Sequence, residues 1–187
     1  MDFRIPPEAR RPHPNAESPG VDAPAAEGGV VSPRLAPDAG VGEALRLALG
    51  VQGAIDGAAR SHYPHEACGL LIGRVAQRNG EPTRVEHTAP ARNLAVDRLA
   101  NRYLLDPDDF RAADEAARRD GLDVVGIWHS HPDHPARPSS TDLQAAWPGY
   151  SYLIVSVGAS GVRERRAWRL RHDDFIEQHI IEEHPKE

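Results

Sequence analysis

The feature of the sequence that most restricts the fold is an apolar run at residues 122–128, which is followed directly by His129 and His131. A short apolar run that begins after a glycine, here Gly121, is typical of a buried strand. Side chains alternate along a strand, so residues i and i+2 share a face and the two imidazoles can point to one place. The sequence therefore predicts a central strand that carries two histidines at its carboxyl end.

A third metal ligand is available downstream in Asp142. Pro135 and Pro138 stiffen the intervening loop, and Ser139 or Ser140 can cap a helix whose first turn contains Asp142. Two imidazole nitrogens and one carboxylate oxygen suit zinc, and three protein ligands leave one coordination position open. These residues predict a catalytic metal site.

An isolated His-x-His pair is common in loops, and the spacing of the neighbouring residues is what distinguishes this one. Pro132 follows His131 directly, seven residues separate His131 from Ser139, and two separate Ser139 from Asp142. This order resembles the signature of the JAMM/MPN metallo-isopeptidase family, and the resemblance extends over residues 41–171. The segments YPHEACGLLIG, VVGIWHSHP and PSSTDLQAAW are similar to those of short prokaryotic members, the CysO-cysteine peptidase-like and archaeal desampylase-like proteins.

The resemblance implies a fold. Members of this family have an α/β fold of the MPN/JAB type, in which a mixed α+β sheet with flanking helices forms a cytidine deaminase-like three-layer architecture. We expect the same architecture here.

The resemblance also implies a role for each residue of the site. One zinc ion per chain would be held by His129, His131 and Asp142, and its bound water would act as the nucleophile. Glu66 would be the general base, and Ser139 would donate a hydrogen bond to the developing oxyanion. Judged by local sequence alone, Glu66 is typical of a solvated charge and Ser139 of a helix cap.

The substrate that the resemblance implies is a ubiquitin-like sulfur carrier protein with an extended or conjugated C-terminal tail, cut after its Gly-Gly. Two other functions stay open: a bacterial deubiquitinase-like isopeptidase of another ubiquitin-like pathway, and a non-catalytic MPN-type binding scaffold. Arg92, Asn93 and Arg98 are candidates for contacts with the substrate tail, and a solvated loop is the equal alternative. The sequence leaves the oligomeric state open, with a dimer among the options.

Composition restricts partners and compartment. The net charge of −6 provides no basic field for nucleic acid. The single cysteine, Cys68, excludes an internal disulfide framework and a cysteine-rich zinc site, and its apolar surroundings predict a buried small hydrophobe rather than a nucleophile. No apolar run is long enough to span a bilayer or to serve as a signal peptide, so we expect a cytoplasmic protein without a membrane partner.

The chain divides into two parts by composition. Residues 1–40 hold eight of the seventeen prolines and almost no large apolar residues, which predicts a disordered Pro/Ala-rich tail before a metallopeptidase domain at 41–187. Within the domain we predict a helix over 41–61, a helix from Asp106 to Gly121, and strands at 152–157 and 164–171. The arginines of the last strand indicate an exposed edge strand or a patch for an acidic partner. Residues 175–183 are amphipathic and fit no single type of element.

Overall fold

The computed structural model describes residues 43–78, 80–95 and 103–185. The strands in these ranges are β1 (Ala44–Leu47), β2 (Cys68–Arg74), β3 (Thr83–Ala91), β4 (Asp123–Pro132), β5 (Ser151–Gly158), β6 (Gly161–Arg171) and β7 (Asp174–Glu182). The helices there are α1 (Val51–His62), α2 (Pro107–Arg119) and α3 (Ser140–Ala145). The predicted tail at 1–40 and Arg98 lie outside the described residues.

The strands form one mixed sheet with the neighbour order β1-β3-β2-β4-β5-β6-β7, and β7 pairs back onto β1 to close it. The pairs β1–β3, β1–β7 and β4–β5 are parallel. The remaining pairs are antiparallel. The predicted mixed sheet with flanking helices is confirmed, and its closure is a feature that the sequence did not predict.

The two longer helices cover opposite faces of this sheet. Leu71 belongs to the apolar cluster that α1 joins through Ile55, whereas its neighbour Leu70 belongs to the cluster that α2 joins through Ala117. Consecutive residues of a strand point to opposite faces, so α1, the sheet and α2 form three layers. Strand β4 lies inside this arrangement and has every residue except Asp123 buried.

The prediction of a helix that starts near Val41 is wrong in its first half. Residues 44–47 form β1, in which Leu45 and Leu47 are buried, and helix α1 begins only at Val51. Gly50 separates the two elements with a positive φ of 86°, a conformation that glycine adopts without steric cost. Leu45 and Leu47 alternate with period two, but Leu45 also fits the helical spacing of the residues that follow, so the sequence pattern alone favours one continuous helix.

The prediction that the arginine-rich strand is an exposed edge is also wrong. Strand β6 runs between β5 and β7, because the amphipathic segment of undecided type forms β7 and covers it. Its arginines are largely engaged: Arg165 pairs with Asp56 of α1, and Arg166 pairs with Glu164 and Glu177. The sequence alternation of a strand is the same whether or not a neighbour covers its edge.

Helix α2 has the predicted boundaries. The Asp106 carboxylate accepts a hydrogen bond from the Asp108 N–H at 2.8 Å, and Pro107 occupies the first helical position. Gly121 follows the helix with a φ of 67°. Among the described helices, none combines the length and the apolar character that crossing a bilayer requires.

Candidate metal centre

Strand β4 carries both histidines near its carboxyl end. His129 and His131 are the seventh and ninth of its ten residues, so the strand continues through them instead of ending before them. Both side chains lie on one face, and their Nε2 atoms are 3.0 Å apart. His129 is fully buried and His131 nearly so. The predicted convergence of the two imidazoles is therefore present in the fold.

Helix α3 brings Asp142 to the same place. Ser139 caps this helix, and its Oγ accepts a hydrogen bond from the Asp142 N–H at 3.1 Å. The Ser139 N–H and Oγ–H both donate to Asp142 Oδ2, each at 2.6 Å. This reciprocal capping box fixes the carboxylate. Asp142 Oδ1 lies 3.3 Å from His129 Nε2, and Oδ2 lies 3.8 Å from His131 Nε2.

The loop between the histidines and α3 is held against the neighbouring strands. The Asp133 N–H donates to the Val157 carbonyl oxygen at 2.8 Å, and Ser156 Oγ donates to the His134 carbonyl oxygen at 2.6 Å. The Trp168 indole N–H donates to the Ala136 carbonyl oxygen at 3.1 Å. Strands β5 and β6 thus determine where the short helix begins, and thereby where Asp142 is placed.

One ligand atom from each of His129, His131 and Asp142 lies within 4.8 Å of the others, as a metal site requires. The His131 Nδ1–H donates to the Pro135 carbonyl oxygen at 2.9 Å, so Nε2 is the ring nitrogen that faces the other two ligands. Two imidazoles and one carboxylate match the donor set of a catalytic zinc site. The residues present therefore fit the predicted metal.

The charge states of these side chains also suit a metal. Burial, which is only partly offset by the Asp142 charge, lowers the pKa of His129 to about 4. Burial acts to raise the pKa of Asp142, but His129 and the hydrogen bonds from Ser139 outweigh it, and the net direction is downward. At neutral pH the site thus presents a neutral imidazole and an ionised carboxylate, which are the forms that bind metal.

Glu66 lies just before β2, beside the strand that carries the histidines. Cys68 pairs with His129 in the antiparallel β2–β4 register, so the chain before Cys68 runs along Ser130 and His131. Glu66 is 5% exposed. Burial first, and then the charge of Asp142, raise the pKa of its carboxyl to about 8. The structure therefore brings the four predicted residues Glu66, His129, His131 and Asp142 together, with Ser139 adjoining them.

Two polar side chains hold the backbone next to Glu66, a role that the sequence analysis did not predict for either of them. Ser130 lies between the two histidines in β4, and its Oγ accepts a hydrogen bond from the Ala67 N–H at 2.9 Å. Asn93 was a candidate for substrate contact, and its amide N–H donates to the Glu66 carbonyl oxygen at 3.0 Å. Neither contact has a sequence signal, because each joins segments that are far apart along the chain.

Arg92 likewise has an internal role. Its guanidinium pairs with Asp106 at 2.7 Å and with Asp109 at 3.0 Å, and its N–H donates to Asp109 Oδ2 at 2.8 Å. These contacts join the end of β3 to the start of α2. In this structure Arg92 therefore forms ion pairs within the protein, at the start of α2.

Cys68 and His134 lie outside the ligand group. Cys68 is buried, and burial together with the charge of Glu66 raises the pKa of its thiol to about 12. The structure agrees with the prediction of a small buried hydrophobe. His134 is exposed in the loop after β4 and is not among the three grouped ligands.

The model of the Prok-JAB family, prokaryotic homologs of the JAB domain, matches residues 50–171. The chain belongs to this family, and the resemblance seen in its motifs is confirmed.

Individual relatives agree with this assignment. A Haloferax volcanii protein named desampylase is 41% identical over 95 residues, which are 50% of this chain and 63% of that protein. The chain thus spans less than two thirds of the length of that relative. A Mycobacterium tuberculosis protein named CysO-cysteine peptidase is 34% identical over 117 residues, 60% of this chain and 73% of that protein.

A solved structure supports the fold as well. The solution structure of a protein from Desulfitobacterium hafniense is 33% identical to this chain and superimposes with a TM-score of 0.65. The match covers 75% of this chain and 94% of that protein.

Proposed function

We propose that this protein is a zinc-dependent hydrolase that cleaves a peptide or isopeptide bond after the C-terminal Gly-Gly of a ubiquitin-like sulfur carrier protein. The observation that carries the proposal is the convergence of His129, His131 and Asp142 within 4.8 Å, next to a buried glutamate. A metal-free scaffold would have no need of three converging ligands and a carboxyl with a raised pKa at one place.

In this proposal His129, His131 and Asp142 hold one zinc ion. When bound, zinc supplies Lewis-acid polarisation of a carbonyl group and makes water more acidic. The three protein ligands orient the site, because β4 and the capped start of α3 hold them rigidly.

Glu66 is the proposed general base. Its carboxylate would take a proton from the attacking water and pass it to the nitrogen of the leaving amine. A base works best when its pKa lies near the working pH, and burial raises the pKa of Glu66 from 4.5 to about 8. The same burial excludes bulk water that would compete for the proton.

Ser139 is the proposed donor to the oxyanion that develops on the scissile carbonyl. It is exposed, and its Oγ lies 2.6 Å from Asp142 Oδ2, at the border of the ligand group. Its hydroxyl proton points at Asp142 in this structure, so the oxyanion role requires the hydroxyl to turn toward the substrate. Its capping role through Asp142 N–H is compatible with that rotation, because the Oγ can accept one bond and donate another.

The substrate class is inferred from relatives. The two proteins described above are named desampylase and CysO-cysteine peptidase. A sulfur carrier with an extended or conjugated tail is the common substrate type that these names suggest.

The proposal is tested by incubating the full chain and zinc with ubiquitin-like sulfur carriers that are extended by a few residues after Gly-Gly. Mass spectrometry is expected to show release of the extension and a carrier that ends in Gly-Gly. Glu66→Gln is expected to lower turnover by about 10²–10⁴-fold, the usual contribution of a positioned general base.

The matched control is Glu115→Gln, which removes an exposed glutamate of α2 and should leave turnover unchanged. Cleavage of ubiquitin-like conjugates outside the sulfur carriers, without cleavage of the carriers, would favour the isopeptidase of another pathway. Binding of a carrier without any cleavage would favour the non-catalytic scaffold and overturn the proposal.

A further inference from the structure

The two histidines of the site are oriented by different means. His131 donates its Nδ1–H to the Pro135 carbonyl oxygen at 2.9 Å, the kind of contact that usually fixes the ring plane of a metal-binding histidine. His129 has no such contact: its Nδ1 is buried, and no described residue offers it a hydrogen bond. Among the described residues, the side of the His129 ring that carries Nδ1 is therefore held by packing and not by a hydrogen bond.

Tyr103 provides that packing. Its ring lies flat against the imidazole of His129, with 4.3 Å between the ring centroids and 26° between the ring planes. This is a stacked aromatic arrangement, which favours one orientation of the two rings. Tyr103 is itself partly buried against the apolar cluster that contains Ala117 of α2.

The backbone beside Tyr103 is held in place by Asn93. The Leu104 N–H donates to Asn93 Oδ1 at 2.8 Å, and the Leu94 N–H donates to the Leu104 carbonyl oxygen at 2.7 Å. The other end of the same Asn93 side chain donates to the Glu66 carbonyl oxygen. One side chain therefore joins the segment of Tyr103 to the backbone of the proposed base.

We propose that Tyr103 is a positioning residue that keeps the His129 ring in its metal-binding orientation, in place of the hydrogen bond that serves His131. The stack prevents rotation about the bond to the imidazole, so Nε2 stays directed at His131 and Asp142. This inference rests on the proposed metal site. It differs from a purely structural role, because it requires a loss of metal affinity beyond any loss of stability.

The test measures zinc affinity by chelator competition and the visible absorption of the Co²⁺-loaded full chain. Tyr103→Leu removes the stacked ring and is expected to weaken zinc binding by about tenfold or more, as the loss of an orienting partner does. It should also change the Co²⁺ absorption bands, which report ligand geometry. Tyr103→Phe keeps the ring and should remain within about threefold of the parent chain on the same scale.

The control variant is Phe110→Leu. It makes a similar aromatic-to-leucine change in the same cluster, where Phe110 contacts Trp147 edge-on at 5.5 Å and not the ligands. Its zinc affinity and Co²⁺ spectrum should match those of the parent chain. Thermal unfolding of each metal-free variant is measured first. All binding measurements are then made at a temperature at which every variant is folded.

Each outcome has a separate meaning. Failure of the unmodified chain to bind zinc would overturn the proposed function together with this inference. Parent-like affinity in Tyr103→Leu, or equal weakening in Tyr103→Phe, would overturn the inference alone. If Tyr103→Leu does not fold, nuclear Overhauser contacts between the Tyr103 and His129 rings are measured in the unmodified chain. The inference expects these contacts with and without zinc. Their loss when zinc is added would contradict it.

Discussion

Ser130 and Ala67 are joined by two hydrogen bonds, from the Ser130 N–H to the Ala67 carbonyl oxygen and from the Ala67 N–H to Ser130 Oγ, both at 2.9 Å. Ser130 lies between the two histidines, and Ala67 follows Glu66 directly. Among the described residues, no group hydrogen-bonds to the Glu66 carboxyl, so backbone contacts of this kind determine its position relative to the ligands. The proposed base and the metal ligands are therefore held together through the main chain.

The first prediction concerns this link. Ser130→Ala leaves the buried Ala67 N–H without its partner, and we expect the free energy of unfolding to fall by about 1–3 kcal/mol. Because the backbone beside Glu66 is then free to shift, turnover should fall while zinc affinity stays near that of the parent chain. Urea unfolding and steady-state kinetics measure the two effects.

Ser61→Ala is the control for this change. The Ser61 hydroxyl is exposed and hydrogen-bonds only to Ala58 and His62 of the same helix, so its loss should alter neither turnover nor the free energy of unfolding. Full turnover in folded Ser130→Ala would show that the link does not position the base.

The second prediction concerns metal-linked stability. A metal that binds only the native state raises the free energy of unfolding, by about 2.7 kcal/mol at a free concentration of 100 times Kd. Zinc should therefore raise the Tm of the parent chain but not that of His129→Ala or Asp142→Ala. Asp142→Ala also removes one half of the capping box, so the quantity compared is the zinc-induced change within each variant.

The control variant here is His134→Ala, which removes an exposed histidine of the same loop and should keep the full zinc response. An equal response in the parent chain and Asp142→Ala would remove Asp142 from the ligand set.

The third prediction concerns pH. The Glu66 pKa is raised by burial from 4.5 to about 8, so the unfolded chain releases this proton near pH 4.5 while the folded chain keeps it to about pH 8. The stability of the metal-free protein therefore falls as pH rises through this interval. Glu66→Gln has no such proton, so its free energy of unfolding should not fall in this way. The difference between the variant and the parent chain should grow by at most about 1.4 kcal/mol per pH unit and level off above pH 8.

Urea unfolding of metal-free protein at pH 5, 6.5 and 8 follows this difference. Glu115→Gln, which changes an exposed carboxylate, should track the parent chain throughout. Parallel curves for Glu66→Gln and the parent chain would mean that the Glu66 pKa is not raised.

The fourth prediction concerns the only thiol. Burial, followed by the charges of Glu66 and Asp109, raises the pKa of Cys68 to about 12, so only about one molecule in 10⁴ carries a thiolate at pH 8. Iodoacetamide should leave Cys68 unmodified in the folded protein and alkylate it in urea, as mass spectrometry would show. Cys68→Ala should retain turnover. A nucleophilic cysteine would give the reverse of both results.

Much of the site could be predicted from local sequence because its signals are short in range. The alternation of a strand places His129 and His131 on one face, and the capping pattern of Ser139 and Asp142 lies within one helical turn. The cap at Asp106 and the glycine at Gly121 likewise mark the ends of α2. Each of these predictions depends on residues that are neighbours in the chain.

The errors arose where a pattern has the same appearance in two environments. Leu45 of β1 fits the helical spacing of α1, and only the fold shows that Gly50, with its positive φ, separates the two elements. The arginines of β6 fit an exposed edge strand, whereas in the fold β7 covers that edge. Propensity cannot decide such cases, because it does not say which strands pair: β1 pairs with the distant strands β3 and β7, and β6 is covered by the segment whose type the sequence left undecided.

The sequence by itself indicated which residues are candidates for the chemistry: His129, His131 and Asp142 by type and spacing, and Glu66 and Ser139 through the family resemblance. Only the tertiary structure decided how they meet: the β2–β4 register places Glu66 beside the histidines, and Ser130 and Asn93 hold its backbone there. The stacking of Tyr103 on His129 is likewise a result of the fold alone. The physical reason is that local patterns arise from contacts between chain neighbours, whereas a site requires distances between segments that packing alone brings together.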